Sequence, residues 1–468
     1  MAGSHSRGHR NSPHLERQGP QAPARRTIGQ WSSVMTLAHD TINDLPVAQP
    51  EREALAEPLP DMPFSDRVES LPEALSIYIN QLVYDLKRRG HDIVSLSLGE
   101  AFFDIPLFDF KKLDINKSYH YSDSRGIPEL RGKIAGYYKH HYDAPLDAAS
   151  ELLITAGSKP AIFMAMQATL NPGDEVLIHE PAWLSYPEQA RLVGAEPRFI
   201  PYDTPVSDFG DHIGPQTRMV VINNPNNPAG RIYSRDELLT LYTLCRQRGI
   251  YILVDEAYSD FVIDDPFTSM ASLVPNKDGI IVVNSLSKNM GMSGWRVGYA
   301  IGSPPLIDRM LKLNQHIITC APSILLYYLA QYFDQITAIT LPQVRDVVEK
   351  RQRVAQMVDE AGLTRLDGSS TFYFFVSLDD FPGSSLDFSL LMLLNKGIAV
   401  VPGLAYGDST SRFIRMSIGT ESEERIRQSI LIMKDAITAG TFDRPALRAK
   451  LESYGLAEFS PGADSEAP

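Results

Sequence analysis

The chain has 468 residues, enough for more than one ordinary domain and a large buried core. It is 43% hydrophobic and 22% charged, as a globular protein is, and a net charge of -13 with no long Lys/Arg run beyond the N-terminal tail excludes an ordinary nucleic-acid binder. Cys245 and Cys320, the only cysteines, are too few for a disulfide scaffold or a zinc cluster, so a reducing compartment and no metal are expected.

Residues 1–63 are rich in Pro, Arg, His and Gln and carry no sustained apolar period. They read as disordered, or as an arm ordered by a partner. They lack the apolar stretch of a secretory signal, and no run of about 18 apolar residues predicts a membrane span. A cytoplasmic location is expected, with an organelle-targeting start as the alternative.

The amphipathic segment Ala74–Arg89 predicts a helix packed between two domains. Short β-branched runs follow at Leu152–Thr155, Val176–His179, Met219–Asn223, Tyr251–Asp255, Ile280–Asn284 and Val297–Ile301. Helix-period segments lie among them, at Pro160–Leu170, Arg235–Arg248 and Pro305–Leu313. This alternation implies an α/β sheet, mainly parallel and covered on both faces. A long helix from Ser323 to about Ala361 leads to strands at Phe372–Ser377, Ile398–Val401 and Phe413–Ser417, then a helix near Ser422–Thr438. The expected division is a large domain at 116–324 and a smaller α+β domain from 64–115 and 325–440, which includes the interdomain helix. Residues 441–468 form a C-terminal extension whose last dozen residues are loose. There is no internal repeat.

Four motifs fall at ends of predicted strands, where open α/β sheets bind ligands. Thr155-Ala-Gly157-Ser158-Lys159-Pro160 joins a strand to a helix beginning near Pro160 and exposes backbone N–H groups that suit a phosphate. Gly157, Ser158 and Lys159 are therefore expected at the phosphate, although read alone the motif is weak and the alternative for Lys159 is a plain surface charge. Asn223-Asn-Pro-Asn-Asn227-Pro-Ala-Gly230 would ordinarily be a plain turn. At a sheet edge, Asn227 can instead donate to a ligand oxygen. Asp255-Glu256-Ala257-Tyr258 places a carboxylate where burial demands a partner. A pyridinium nitrogen would be one, with Tyr258 near the ring's phenolic oxygen and Glu256 a structural bystander. The bland reading of Asp255 is a helix cap. Ser285-Leu-Ser287-Lys288, followed by Arg296 in Gly294-Trp295-Arg296-Val297-Gly298, is the strongest signal. A lone lysine at a strand end is usually a solvated charge. Two hydroxyls and an arginine at this spacing suit a phosphate-bearing aldehyde held by Lys288 as a Schiff base.

Taken together, and with Leu96-Ser-Leu-Gly99-Glu100 and His120-Tyr121-Ser-Asp-Ser-Arg-Gly126-Ile-Pro128-Glu-Leu-Arg131 in the same order, these motifs resemble the class I/II aminotransferases. These are fold-type I enzymes that use pyridoxal 5'-phosphate. The resemblance runs from about Arg67 to Asp435. It implies a seven-stranded, mainly parallel sheet sandwiched by helices, a smaller α+β domain, and transfer of an amino group from an L-amino acid to a 2-oxo acid. It also implies roles that spacing alone does not supply. Trp183 would stack on the pyridine ring, and Tyr121 would reach the phosphate of a neighbouring subunit, making a homodimer with shared sites. Arg415 would clamp the substrate α-carboxylate, with Arg412 the competing candidate and Gly99 adding a backbone contact. Lys288, once displaced, would move the α-proton as general base and acid while Asp255 keeps the ring cationic.

The chain departs from the family where Gly-Glu-Pro-Asp-Phe-Asp is usual, reading Gly99-Glu-Ala101-Phe102-Phe103-Asp104. That change leaves open a lyase, racemase or deaminating oxidase on the same scaffold. No arginine lies between Arg309 and Arg345, which tilts the reading away from dicarboxylic substrates, although Lys312 or His316 could substitute. A non-enzymatic ligand sensor is the remote alternative.

Overall fold

In the computed structural model the described residues are 63–456, apart from 73, 264–266 and 455. Of the arm assigned to residues 1–63, residues 1–62 lie outside them, as does the loose last dozen.

The first strand, β1 (Val94–Ser95), follows the helix Leu75–Arg88. Seven strands then build the main sheet: β2 (Leu152–Thr155), β3 (Glu175–His179), β4 (Glu196–Ile200), β5 (Thr217–Asn223), β6 (Tyr251–Asp255), β7 (Ile280–Ser285) and β8 (Gly298–Gly302). Their order is β2-β8-β7-β6-β5-β3-β4, with β8 antiparallel to both neighbours and the other pairs parallel. Every residue of β2, β3, β7 and β8 is buried, as expected of strands with helices on both faces. One apolar cluster joins Ile154, Val220, Val254 and Val282 to helices Pro128–Tyr142 and Ser323–Glu360. Another sets Leu153, Val221, Leu253 and Val283 against helices Ser158–Thr169 and Pro304–Ile317. Alternate residues of each strand thus face opposite layers.

The smaller sheet comprises β9 (Tyr373–Ser377), β11 (Val401–Pro402) and β12 (Phe413–Ser417), in the order β11-β12-β9 and antiparallel throughout. The single strand expected at Ile398–Val401 is divided. β10 (Ile398–Ala399) pairs in parallel with β1, and only β11 joins β12. Two short segments serve two sheets because the chain changes partners at Val400.

Three further differences have simple causes. Strand β4 was not anticipated because Glu196-Pro-Arg-Phe-Ile200 mixes charges with a proline and lies at the sheet edge, where both are tolerated. The helix expected from Pro160 begins at Ser158, since the first four N–H groups of a helix need no internal acceptor and proline at the third position forfeits nothing. A helix at Arg444–Ser453 buries Leu447 and Leu451 against Leu390, Leu393 and the helix Leu75–Arg88. Among the described residues no helix is long and apolar enough to cross a membrane.

Candidate active site

Parallel strands aim their C-terminal ends at one sheet edge, and the motif residues arrive there by that geometry alone. Thr155 ends β2, Asn223 ends β5, Asp255 ends β6 and Ser285 ends β7. Asn223, Asp255 and Ser285, with Ser158 and Lys159 beyond the end of β2, line a cavity of about 250 Å³, whose other lining residues include Gly99, Tyr373 and Arg415 and Ser76 and Asn80 of the first long helix.

Lys288 sits in the short helix Leu286–Asn289 directly after β7, and its Nζ donates to the Gly99 carbonyl at 2.6 Å. The ammonium lies 5.7 Å from the centre of the Tyr258 ring and 5.9 Å from that of Phe372. It is therefore half-buried in an aromatic corner, with the Gly99 carbonyl as its hydrogen-bond acceptor.

Asp255 is 6% exposed. Its carboxylate accepts from the Tyr186 hydroxyl at 2.8 Å and from the Ala257 N–H at 3.1 Å. Burial raises its pKa above the usual carboxylate value, while Tyr186, Ala257 and Lys288 oppose the rise. A cationic N–H in the cavity would relieve that burial. Glu256 faces elsewhere: it accepts from the Ser269 hydroxyl and the Met270 N–H behind the strand.

At the β2 end, Gly157 has φ of +96°, and a Cβ there would lie 2.5 Å from the Arg296 guanidinium. Glycine is thus required both by the backbone and by the approach of Arg296. Ser158, Lys159, Ser285, Ser287 and Arg296 line the same end of the cavity. Burial, with Arg296 beside it, pulls the Lys159 ammonium below its ordinary pKa, and its Nζ lies 5.0 Å over the Trp183 ring.

Asn227 is fixed by its N–H to the Asn223 side chain at 2.6 Å, and its Oδ1 faces Arg415 Nη1 at 3.4 Å, which leaves its amide N–H₂ free to donate. Arg415, on β12, is 5% exposed and donates from Nη2 to the Ser97 carbonyl at 2.7 Å, whereas its Nε is buried with no hydrogen-bond partner among the described residues. Arg412 spends its guanidinium on the carbonyls of Asp379, Phe381 and Gly383, so of the two candidates for the carboxylate it is Arg415 that lines the cavity. Tyr121 is 86% exposed and contributes nothing to this cavity within the chain.

Sequence reasoning missed Tyr186, Tyr373, Ser76 and Asn80. Tyr186 lies in the first turn of the helix Ser185–Leu192 and packs edge-on against Trp183, which precedes that helix, with ring centres 5.3 Å apart. Tyr373 had a faint signal, a hydroxyl within the aromatic run Phe372–Phe375.

The residues fit pyridoxal phosphate on three observations: a glycine turn pressed against the Arg296 guanidinium, a buried carboxylate whose pKa burial raises, and a buried guanidinium nitrogen with no hydrogen-bond partner among the described residues, lining the same cavity as Lys288.

Comparison with known proteins agrees. The family model for aminotransferase class I and II matches residues 93–429. An enzyme named (5-formylfuran-3-yl)methyl phosphate transaminase, from Methanocaldococcus jannaschii, is 30% identical over 359 residues, covering 76% of this chain and 94% of its own. The aromatic-amino-acid aminotransferase 2 of Thermococcus litoralis is 30% identical over 376 residues, covering 78% and 95%. Among solved structures, the aspartate aminotransferase of Thermus thermophilus with maleate superposes with a TM-score of 0.72 at 26% identity, covering 80% of this chain and 99% of that one. The fold is that of the fold-type I enzymes, which in general depend on pyridoxal phosphate. A lysine at the mouth of a parallel sheet, motifs in register and relatives matched almost end to end lead to one conclusion: this chain belongs to the class I and II aminotransferase family, enzymes that transfer amino groups.

Proposed function

We propose that the cavity holds pyridoxal 5'-phosphate on Lys288 and exchanges an amino group between an L-amino acid and a 2-oxo acid. The observation that carries this reading is the convergence of Lys288, Asp255, Arg296 and Arg415 on one cavity. Bound there, the cofactor supplies an aldehyde for the lysine amine and a ring that accepts the electron pair released when the substrate's Cα–H bond breaks.

The protein's part is to bind, orient and move protons. Gly157, Ser158, Lys159, Ser285, Ser287 and Arg296 hold the phosphate with backbone N–H, hydroxyl and cationic donors. With the cofactor bound, Trp183 would lie against its ring, and Asp255 would hold a proton on the ring nitrogen. Asn227 and Tyr258 donate to the ring oxygen. Arg415 takes the substrate carboxylate in a two-point grip, assisted at Gly99. Lys288 Nζ would hold the cofactor's aldehyde group and, as a free amine, would take up the proton lost from the substrate Cα.

Two further parts of the reading concern organisation. The chain acts as a homodimer in the cytoplasm, with Tyr121 of the partner subunit completing the phosphate site. Residues 116–324 form the cofactor domain, and residues 64–115 with 325–440 the smaller one; 1–63 and 441–468 are extensions.

The test is a visible spectrum of the cofactor-loaded protein as amino acids are added singly. The band should bleach with one donor and return when a 2-oxo acid is supplied. Ammonia release without any return would instead indicate a lyase or oxidase. Lys288→Ala should abolish covalent attachment, and attachment unaffected by that change would overturn the assignment.

A further inference from the structure

Tyr373 has no role in the foregoing account, yet it touches three of its parts. It is 1% exposed and lines the cavity from β9. Its hydroxyl lies 2.9 Å from the Tyr258 hydroxyl, either of which can donate to the other. The face of its ring carries the Arg415 guanidinium, 4.6 Å from the ring centre. Its hydroxyl also sits against Gly99, where an added Cβ would meet it at 3.2 Å.

A phenol has a single proton. If Tyr258 spent its own on Tyr373, it would have none for a ligand oxygen in the cavity. If Tyr373 is the donor, the Tyr258 proton is left pointing inward, and accepting one hydrogen bond strengthens the one that Tyr258 gives. The titratable groups around Tyr258 are Tyr373 on β9, Arg415 on β12, Asp255 on β6, Lys288 after β7 and Tyr186 of the helix Ser185–Leu192. Of these, only Tyr373 is hydrogen-bonded to its hydroxyl.

We propose that Tyr373 is a positioning residue with two separable parts: its hydroxyl fixes Tyr258 as donor to the cofactor's ring oxygen, and its ring seats Arg415 for the substrate carboxylate. The proposal rests on the cofactor reading above. It assigns the two parts to different observables. The hydroxyl governs the acidity of the lysine–cofactor linkage, because a donor to the ring oxygen competes with the proton shared between that oxygen and the linkage nitrogen. The ring governs how well the carboxylate is bound.

Two variants separate them. Tyr373→Phe keeps the ring, and Tyr373→Leu removes it. Each protein is loaded with pyridoxal phosphate without substrate, and the pH midpoint of its visible absorption change is recorded beside those of wild type and Tyr258→Phe. Steady-state kinetics on the best amino donor then give KM and kcat. In Tyr373→Phe the midpoint should rise, in the direction of Tyr258→Phe but by less, with KM within about twofold of wild type and kcat lowered several-fold. Tyr373→Leu should show the same midpoint rise and a KM raised about tenfold or more. A midpoint unmoved in Tyr373→Phe overturns the hydroxyl's role. A raised KM in that variant with an unmoved midpoint would mean that Tyr373 touches the substrate directly. Equal KM in the Phe and Leu variants overturns the ring's role. If wild type itself takes up no cofactor and shows no visible band, the cofactor reading fails, which is a distinct outcome. Unfolding temperatures of the unloaded proteins report whether either variant is merely misfolded.

Discussion

Glu256 sits one residue beyond Asp255 and has the opposite fate. It is fully buried and accepts two hydrogen bonds, at 2.7 Å from Ser269 and 2.8 Å from Met270. Burial still dominates and, with the Asp255 charge nearby, raises its carboxyl from the ordinary 4.5 to about 8. Between those values the folded protein holds a proton that the unfolded chain has released. Stability must therefore fall as pH rises through that window. Glu256→Gln removes the titration while keeping an acceptor for the Met270 N–H. Thermal unfolding of both proteins between about pH 5 and pH 9 should show the wild type losing stability faster than the variant as pH rises. Parallel curves would refute the assignment. The pair also illustrates what could be read in advance. Asp255 ends an apolar strand, Lys288 and Asn227 follow one and Arg296 precedes the antiparallel β8, so a sheet edge brings them together once the strands are recognised. Tyr186 and Tyr373 reach their partners across 69 and 115 residues, and the contacts depend on packing between layers that no local pattern encodes.

At the scale of elements, periodicity identified most helices and strands because burial imposes it. Helix Arg235–Arg248 matches its expected span, with Ser234 and Glu237 forming a capping box and Gly249 left-handed at its end. The dimension that periodicity could not supply is what crosses from one element to the next. Arg351, in helix Ser323–Glu360, is 2% exposed and donates to three backbone carbonyls: Gly368 at 2.6 Å, and Tyr373 and Ala229 at 3.2 Å. Its guanidinium also lies 4.5 Å from the Phe374 ring centre. One side chain thus ties the long helix to β9 and to the Pro228-Ala-Gly230 turn beside Asn227. At Gly230 a Cβ would lie 2.4 Å from the Ser370 carbonyl and 2.8 Å from Arg351, so the turn is pressed against this tie. Arg351→Met keeps much of the packing but leaves buried carbonyls without donors, and should cost about 3 kcal/mol by urea unfolding. Arg351→Lys, a point charge that cannot fork, should fall between the two. A loss below about 1 kcal/mol for the methionine variant would mean that the carbonyls find other donors.

At the scale of the molecule, the mainly parallel sheet and the order of motifs were legible because strand–helix alternation leaves few topologies. Which residues meet across a second subunit was not, because one chain carries no information on its partner's approach. Four large apolar side chains remain exposed within a short stretch of chain: Phe102, Leu107, Tyr119 and Tyr121. Monomeric proteins seldom leave such a group uncovered when it is contiguous, and a two-fold dimer is the usual way to bury one. If Tyr121 serves the partner's phosphate site, its loss and the loss of Lys288 damage different halves of a shared site. Tyr121→Ala alone and Lys288→Ala alone should then both be nearly inactive. Unfolded and refolded together in equal amounts, they form mixed dimers in which one of the two sites has an intact Lys288 from one subunit and an intact Tyr121 from the other. Random pairing makes half the dimers mixed and one site in each of these whole, so activity should recover to about a quarter of wild type. Recovery at that level would place Tyr121 across the interface. No recovery from a mixture shown by light scattering to contain dimers would place it within its own subunit, and the exposed face would then need another explanation.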